Sequence, residues 1–270
     1  MADKVFVQDI AITSLDMITG FALAADGGAF MFALDELQDA TLSQSEDKVD
    51  ITGKQGRKIT SLKRNKAVTV SGTNGLLSSN LLAAQVGSEF EQNDTTVMWY
   101  DNLVVDENHK AKLNYAATGT AGNEIDEVYV KGSDGVINAV YEQDTTAGDG
   151  KFTYDTATKE ITFPNAVAKD TEIVVYYQRK INASVLTNFS DQYSAKCQLY
   201  IDATGEDICG NLYHVQFYIP KADFSGTFDL TLGGDQTTHG FEAESLAGGC
   251  GVSTGLWTYT VFGVTTADVT

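Results

Sequence analysis

Residues 151–178 read KFTYDTATKEITFPNAVAKDTEIVVYYQ, and this stretch decides the fold class. Three short runs in it, residues 152–154, 160–163 and 172–178, are rich in β-branched and aromatic residues, and polar turn residues separate them. Similar runs recur from residue 95 to 179 and from 193 to 262, at a spacing of about ten residues. The sequence therefore predicts an all-β fold, mainly antiparallel, built as a sandwich or a barrel.

One segment has the pattern of a helix instead. Leu77, Leu81 and Ala84 recur at helical spacing, Asn74 before them is a preferred N-cap residue, and Gly87 is suited to end a helix. We therefore expect a single flanking α-helix near residues 75–86, with its apolar stripe packed on a sheet.

The net charge of −19 on 270 residues limits the partners that this chain can have. Proteins that bind nucleic acid need a basic patch, so the overall charge argues against tight binding of that kind. It does not exclude an acidic wall past which nucleic acid moves, because like charges repel within roughly 8–10 Å. The alternative interpretation is that the charge only keeps the protein soluble.

Residues 39–66 form a polar segment that we expect to be an extended loop. It carries seven of the 18 Lys and Arg residues of the chain, around Gly53 and Gly56. They are Lys48, Lys54, Arg57, Lys58, Lys63, Arg64 and Lys66. One interpretation is a solvated, flexible loop, and the other is an arm that docks on an acidic face of a neighbouring copy.

The residues that usually carry chemistry show no catalytic pattern. His109, His214 and His239 lie in no metal-binding motif, and the sequence lacks a nucleophile elbow, a phosphate-binding loop and a dinucleotide fingerprint. Paired acids such as Glu242 and Glu244 could serve glycoside hydrolysis, but their alternation with apolar residues favours a strand with one acidic face. We therefore predict no enzyme, no catalytic or metal site and no cofactor.

The cysteines and the N-terminus indicate the compartment. Cys197, Cys209 and Cys250 are an odd number without close pairs, which is typical of a reducing environment rather than a disulfide scaffold. The first residues, MADKV, lack the features of a signal peptide, and there is no apolar run of about 18 residues. We therefore expect a reducing cytoplasm as the compartment and no membrane partner.

Two parts of the chain resemble a known family. The first comprises VDITGKQGRKI (residues 49–59), VTVSG (68–72) and AAQVG (83–87). The second comprises FSGTFDL (224–230), GDQ (234–236) and HGFEAE (239–244). Together they are similar to the major tail tube proteins of long-tailed bacteriophages.

The resemblance implies a function and an assembly. Such proteins form hexameric rings that stack into a hollow tail tube, through which DNA passes during ejection. Each subunit is a β-sandwich with a flanking helix, here residues 75–86. The long loop, here residues 39–66, reaches the adjacent ring. The lumen is commonly acidic, and Asp35, Glu36 and Asp39 are candidates to face it because they follow an early strand.

The resemblance also implies partners, a location and a domain plan. The partners are further copies of the chain and other tail proteins, such as terminators, the tape measure and baseplate or adaptor proteins. The location is the tail of the virion, and assembly takes place in the cytoplasm of the bacterial host. Residues 1–115 and 182–270 would form the tube-like core, and residues 116–181 would be an inserted β module.

Three other classes of protein remain as alternatives. The first is another virion component, either a capsid or a decoration protein, although a capsid shell should contain more helix. The second is a bacterial surface adhesion module, which should carry an export signal. The third and most remote is a carbohydrate-active enzyme on a β-sandwich.

Overall fold

The structure is a computed structural model that describes residues 9–23, 28–132, 134–233, 236–247 and 255–263. Within these ranges it is built of strands and one α-helix, so the predicted all-β fold with a single helix is confirmed. In chain order the elements are β1 (Ile10–Ala22), β2 (Phe30–Leu34), β3 (Leu37–Thr52), β4 (Lys58–Asn74), α1 (Ser79–Val86), β5 (Glu91–Val104), β6 (Lys110–Lys112), β7 (Glu127–Lys131), β8 (Ile137–Gln143), β9 (Lys151–Asp155), β10 (Glu160–Thr162), β11 (Glu172–Val185), β12 (Lys196–Asp207), β13 (Leu212–Phe224), β14 (Leu230–Thr231), β15 (Thr238–Ser245) and β16 (Thr258–Gly263).

The chain divides into two compact units. The first unit comprises Met1–Phe90 and Leu186–Thr270, and the second comprises Glu91–Val185. Each unit has its own sheet and its own hydrophobic core. The second unit is therefore an insertion in the sequence of the first.

The first unit contains a nine-stranded sheet in the described part of the chain. The strand order is β2-β1-β12-β13-β15-β4-β3, with β14 paired to β15 and β16 paired to β13, and every pair is antiparallel. Ile18 and Phe32, from one end of this order, share a single core with Val70 and Phe241, from the other end. The sheet therefore bends over one core, and Leu81 of α1 packs into the same core.

The helix is shorter at its start than the sequence predicted. The expected N-cap, Asn74, is the last residue of β4, and its side chain donates a hydrogen bond to the Leu76 carbonyl at 2.8 Å. The actual N-cap is Ser78, whose Oγ accepts from the Leu81 N–H at 3.3 Å. Leu76 and Leu77 precede the helix and are exposed, whereas Leu81 in its first turn is buried in the core.

The helix ends at the predicted glycine. Gly87 has a φ of 72°, and its N–H donates to the Ala83 carbonyl at 2.9 Å. A side chain at this position would place Cβ 1.9 Å from the Tyr193 carbonyl oxygen. Both the positive φ and this close approach favour glycine.

The prediction of a long loop at residues 39–66 was wrong. Strands β3 and β4 pair from Leu37↔Asn74 to Thr52↔Lys58, so only residues 53–57 form a turn. Gln55 and Gly56 in this turn have φ values of 63° and 75°. The segment was predicted as a loop because it is polar, and it is polar because no core lies beneath it. Its β-branched residues nevertheless favour strands.

The second unit contains a seven-stranded sheet in its described residues, in the order β5-β11-β7-β8-β9-β10-β6. Only β8 and β9 are parallel among these strands. The longest pair is β5 with β11, from Glu91↔Val185 to Val104↔Glu172. Because β5 and β6 pair only with strands of this unit, we propose residues 91 and 185 as the domain boundaries, instead of 116 and 181.

In the second unit, the buried carboxylate of Asp101 in β5 holds the chain segment that follows β6. Asp101 accepts hydrogen bonds from the Asn114 N–H at 2.9 Å and from Tyr177 Oη at 2.8 Å. Trp99 Nε1 donates to the same carboxylate at 3.2 Å. Burial alone would raise the pKa of Asp101, but these hydrogen bonds outweigh it and hold the pKa below its ordinary value.

Candidate assembly surfaces

The end of the β3–β4 hairpin is the most basic part of the chain. We call residues 46–66 the arm. It carries the seven cations predicted from the sequence and three acids, which is a net charge of +4 on a chain whose total is −19. Lys58 pairs with Asp50 at 2.7 Å, and Lys63 pairs with Glu46 at 2.6 Å. The other five cations form no ion pair within the described part of the chain.

The arm has two different faces, because side chains alternate along a strand. Val49 lies opposite Leu62, and Ile51 lies opposite Thr60, on one face. Lys48 lies opposite Lys63 on the other face. On this second face the hydrogen bond from Lys63 lowers the pKa of Glu46, and Glu46 in turn raises the pKa of Lys63. The first face, which we call the apolar face, therefore presents Val49, Ile51 and Leu62 and is bordered by the Asp47–Arg64 pair, whereas the second face carries Lys48 and Lys63.

The outward side of β3, β4 and β15 forms a second surface, which we call the acidic face. The strand register places Glu242 beside Ser71 and Glu244 beside Thr69, with the buried Phe241 and Ala243 pointing the other way. All eight members are acids or carry a hydroxyl group. They are Asp39, Thr41, Ser43, Thr69, Ser71, Thr73, Glu242 and Glu244.

The predicted lumen acids do not all lie on this surface. Asp39 pairs with Thr73 and belongs to the acidic face. Asp35 and Glu36 are exposed in the connection between β2 and β3, where the Glu36 carbonyl accepts from the Gly75 N–H at 2.7 Å. Sequence reasoning did not include Glu242 and Glu244 among the lumen acids, although their alternation with Phe241 and Ala243 was visible.

A third surface was not anticipated from the sequence. Met17, Phe21, Phe30, Ala33 and Tyr200 line a groove of about 560 Å³ on the outward side of β1, β2 and β12. The ring of Phe21 makes edge contacts with Phe30 at 6.1 Å and with Tyr200 at 5.7 Å. The alternation of Met17 and Phe21 with the core residue Ile18 could have indicated an apolar outward side of β1. We call this surface the aromatic groove.

The histidines have structural contacts. His239 is fully buried, His214 Nε2 lies 3.5 Å from Asp202, and His109 Nδ1 lies 2.8 Å from the Val167 carbonyl. The described residues contain no group of three or more His, Cys, Asp or Glu side chains that could hold a metal ion. The same part of the chain contains no helix with the length and hydropathy needed to span a membrane.

The structure thus defines an all-β protein that presents a basic arm, an acidic face and an aromatic groove. A family model described as the YomU/Tube protein family matches residues 20–259. The chain therefore belongs to the YomU/Tube family, a family of bacteriophage tube proteins, as the sequence resemblance predicted. No curated protein matches the chain.

Proposed function

We propose that this chain is the subunit of a bacteriophage tail tube, in which hexameric rings stack around a channel for the viral DNA. The family supports a structural role in a phage tube and assembly with copies of itself. The proposal adds the ring, the stacking and the channel. The other tail partners would be terminators, the tape measure and baseplate or adaptor proteins.

The acidic face carries this proposal. A wall that DNA must pass without sticking needs negative charge, because a basic side chain would bind each phosphate as it arrives. Asp39, Glu242 and Glu244 supply that charge, and small hydroxyl side chains fill the space between them. We propose that this face lines the channel, and that Asp35 and Glu36 lie beside it.

The sheet also has the edges that a ring requires. Strands β2 and β3 lie at the two ends of the main strand order of the first unit, so each has one side without a strand partner among the described residues. Open strand edges join chains by backbone hydrogen bonds. We propose lateral contacts between subunits through these edges, and contacts between rings through the arm.

Electron microscopy tests this proposal. The purified chain, concentrated and negatively stained, should form hollow tubes or stacked rings with six subunits around a pore. The double variant Glu242→Lys with Glu244→Lys should still form tubes but should retain added DNA in the pore. A matched control is Glu127→Lys with Glu142→Lys, which makes the same charge change in the second unit.

Three results would count against the proposal. A chain that stays monomeric at every concentration would overturn the tube function. Rings with a different number of subunits would exclude the hexamer. Tubes of the Glu242→Lys, Glu244→Lys variant that bind no more DNA than the control would show that these residues do not face the channel.

A further inference from the structure

The arm exposes apolar side chains that nothing in its own hairpin covers. On its apolar face Leu62 is 57% exposed, and Val49 and Ile51 are also exposed. A two-stranded ribbon without a covering layer is marginally stable in water. Exposed apolar residues that lie together on a surface rimmed by charge are typical of an interface. The apolar face of the arm therefore needs a partner surface.

The aromatic groove has the complementary chemistry. Phe30 is 57% exposed, and Met17, Phe21 and Tyr200 line the groove with it. Aromatic residues in a partly enclosed apolar site are the usual anchors of protein interfaces. The groove lies on the outward side of its sheet, so it is not part of the shared core.

The charges around the two surfaces have opposite signs. Asp202 lines the groove, Asp16 lies beside it and accepts a hydrogen bond from Thr204, and Glu206 is exposed on the same side of β12. The arm has a net charge of +4, and five of its cations have no ion pair in the described residues. Opposite charges at the rim of an apolar contact favour encounter and fix its orientation.

We propose that the arm of one copy packs its apolar face, Val49, Ile51 and Leu62, into the aromatic groove of a second copy. Arm cations then lie near Asp16, Asp202 and Glu206 of that copy. This inference rests on the proposed tube function, because it names the surface that receives the arm between rings. It also assigns different roles to two features of the arm: the apolar face binds, and the net positive charge of the arm guides its approach.

Disulfide trapping between two variants tests the contact directly. The background carries Cys209→Ser and Cys250→Ser, which leaves only the buried Cys197. One variant carries Met17→Cys and the other carries Leu62→Cys. The two are mixed, assembled and oxidised with oxidised glutathione, so a disulfide between them must join two copies. Because a disulfide needs Cα atoms about 4.4–6.8 Å apart, only close contacts are captured.

The matched control is Lys63→Cys, which lies next to Leu62 on the opposite face of the arm. We expect a covalent dimer from Met17→Cys with Leu62→Cys, and little or none from Met17→Cys with Lys63→Cys. In the wild-type background, Leu62→Ser should abolish stacking, while Lys63→Ser should only slow assembly and reduce its dependence on salt.

The outcomes separate this inference from the proposed function. Tubes that form without the Met17–Leu62 cross-link, and that survive Leu62→Ser, would overturn the inference and leave the tube function standing. Equal cross-linking of Leu62→Cys and Lys63→Cys would overturn the assignment of the two faces. A wild-type chain that forms no tubes under the same conditions would overturn the tube function, and this inference with it.

Discussion

His239 shows how a single residue connects the helix to the sheet. Its Nδ1 accepts a hydrogen bond from the Ser78 N–H at 3.3 Å, and its Nε2 lies 2.7 Å from Oε1 of Gln85. Gln85 Nε2 in turn donates to the Gly240 carbonyl at 3.0 Å. Since Ser78 supplies a hydrogen, Nδ1 must be unprotonated and Nε2 must carry the proton. Only the neutral imidazole fits this arrangement.

The protonation of His239 should therefore make stability depend on pH. Burial lowers the pKa of His239 below its ordinary value of 6.5, so the unfolded chain takes up this proton more readily than the folded chain. The contribution of His239 is present above pH 6.5 and is lost as the pH falls towards the lowered pKa. We expect His239→Gln to cost about 1–3 kcal/mol at pH 7 and less at pH 5.

Thermal unfolding of the wild type and of His239→Gln between pH 7 and pH 5 measures this effect. The difference in Tm should narrow as the pH falls, because only the wild type loses the contribution of a neutral imidazole. His214→Gln is the matched control, since His214 is partly exposed and its ring lies beside Asp202. A difference that widens at pH 5 would contradict the prediction.

At the level of elements, the arm marks the limit of what the sequence could predict. The helix end at Gly87 was predicted correctly because a single residue type determines it. The arm was predicted as a loop because sequence patterns identify strands by a buried face, and the arm has none. The lumen acids depend on strand register as well. Of Asp35, Glu36 and Asp39, only Asp39 has a strand partner, Thr73. The order of these residues along the chain does not reveal that pairing.

The pairing of β3 with β4 permits a clean removal of the arm. Ser45 lies opposite Ala67, so replacement of residues 46–66 by Asn-Gly should close a two-residue hairpin turn. Because the arm contributes little to the core, we expect the free energy of unfolding to change by about 1 kcal/mol or less. We expect no tubes from this variant by electron microscopy.

The control shortens only the turn of the arm. Thr52 lies opposite Lys58, so replacement of residues 53–57 by Asn-Gly keeps Val49, Ile51 and Leu62 in place. This variant should still assemble. Tubes from the chain that lacks residues 46–66 would show that the arm does not join the rings.

At the level of the whole molecule, the first and last residues of the second unit lie side by side. Glu91 and Val185 are strand partners, so their Cα atoms lie about 4.5–5.5 Å apart. The two ends of the second unit are therefore close together. The second unit completes its own core, which includes Phe152, Ile161 and Ile173.

The second unit should therefore be removable. We expect that a chain in which Gly-Ser-Gly joins Phe90 to Leu186 folds and forms tubes with an unchanged axial repeat. Circular dichroism and electron microscopy measure the two properties. The comparison variant lacks residues 116–181 and retains β5 without most of β11, its strand partner, so it should be less stable or aggregate. A folded deletion variant that no longer assembles would place ring contacts in the second unit.

The arm has one further consequence for the assembly. A contact between the arm of one copy and the groove of the next joins two different surfaces, so it is a head-to-tail contact without twofold symmetry. Every ring added through such a joint points in the same direction as the ring before it. The finished filament would then have two unlike ends, one presenting free arms and the other presenting empty grooves. Proteins that start a filament and proteins that stop it could therefore be told apart by which of the two ends they recognise.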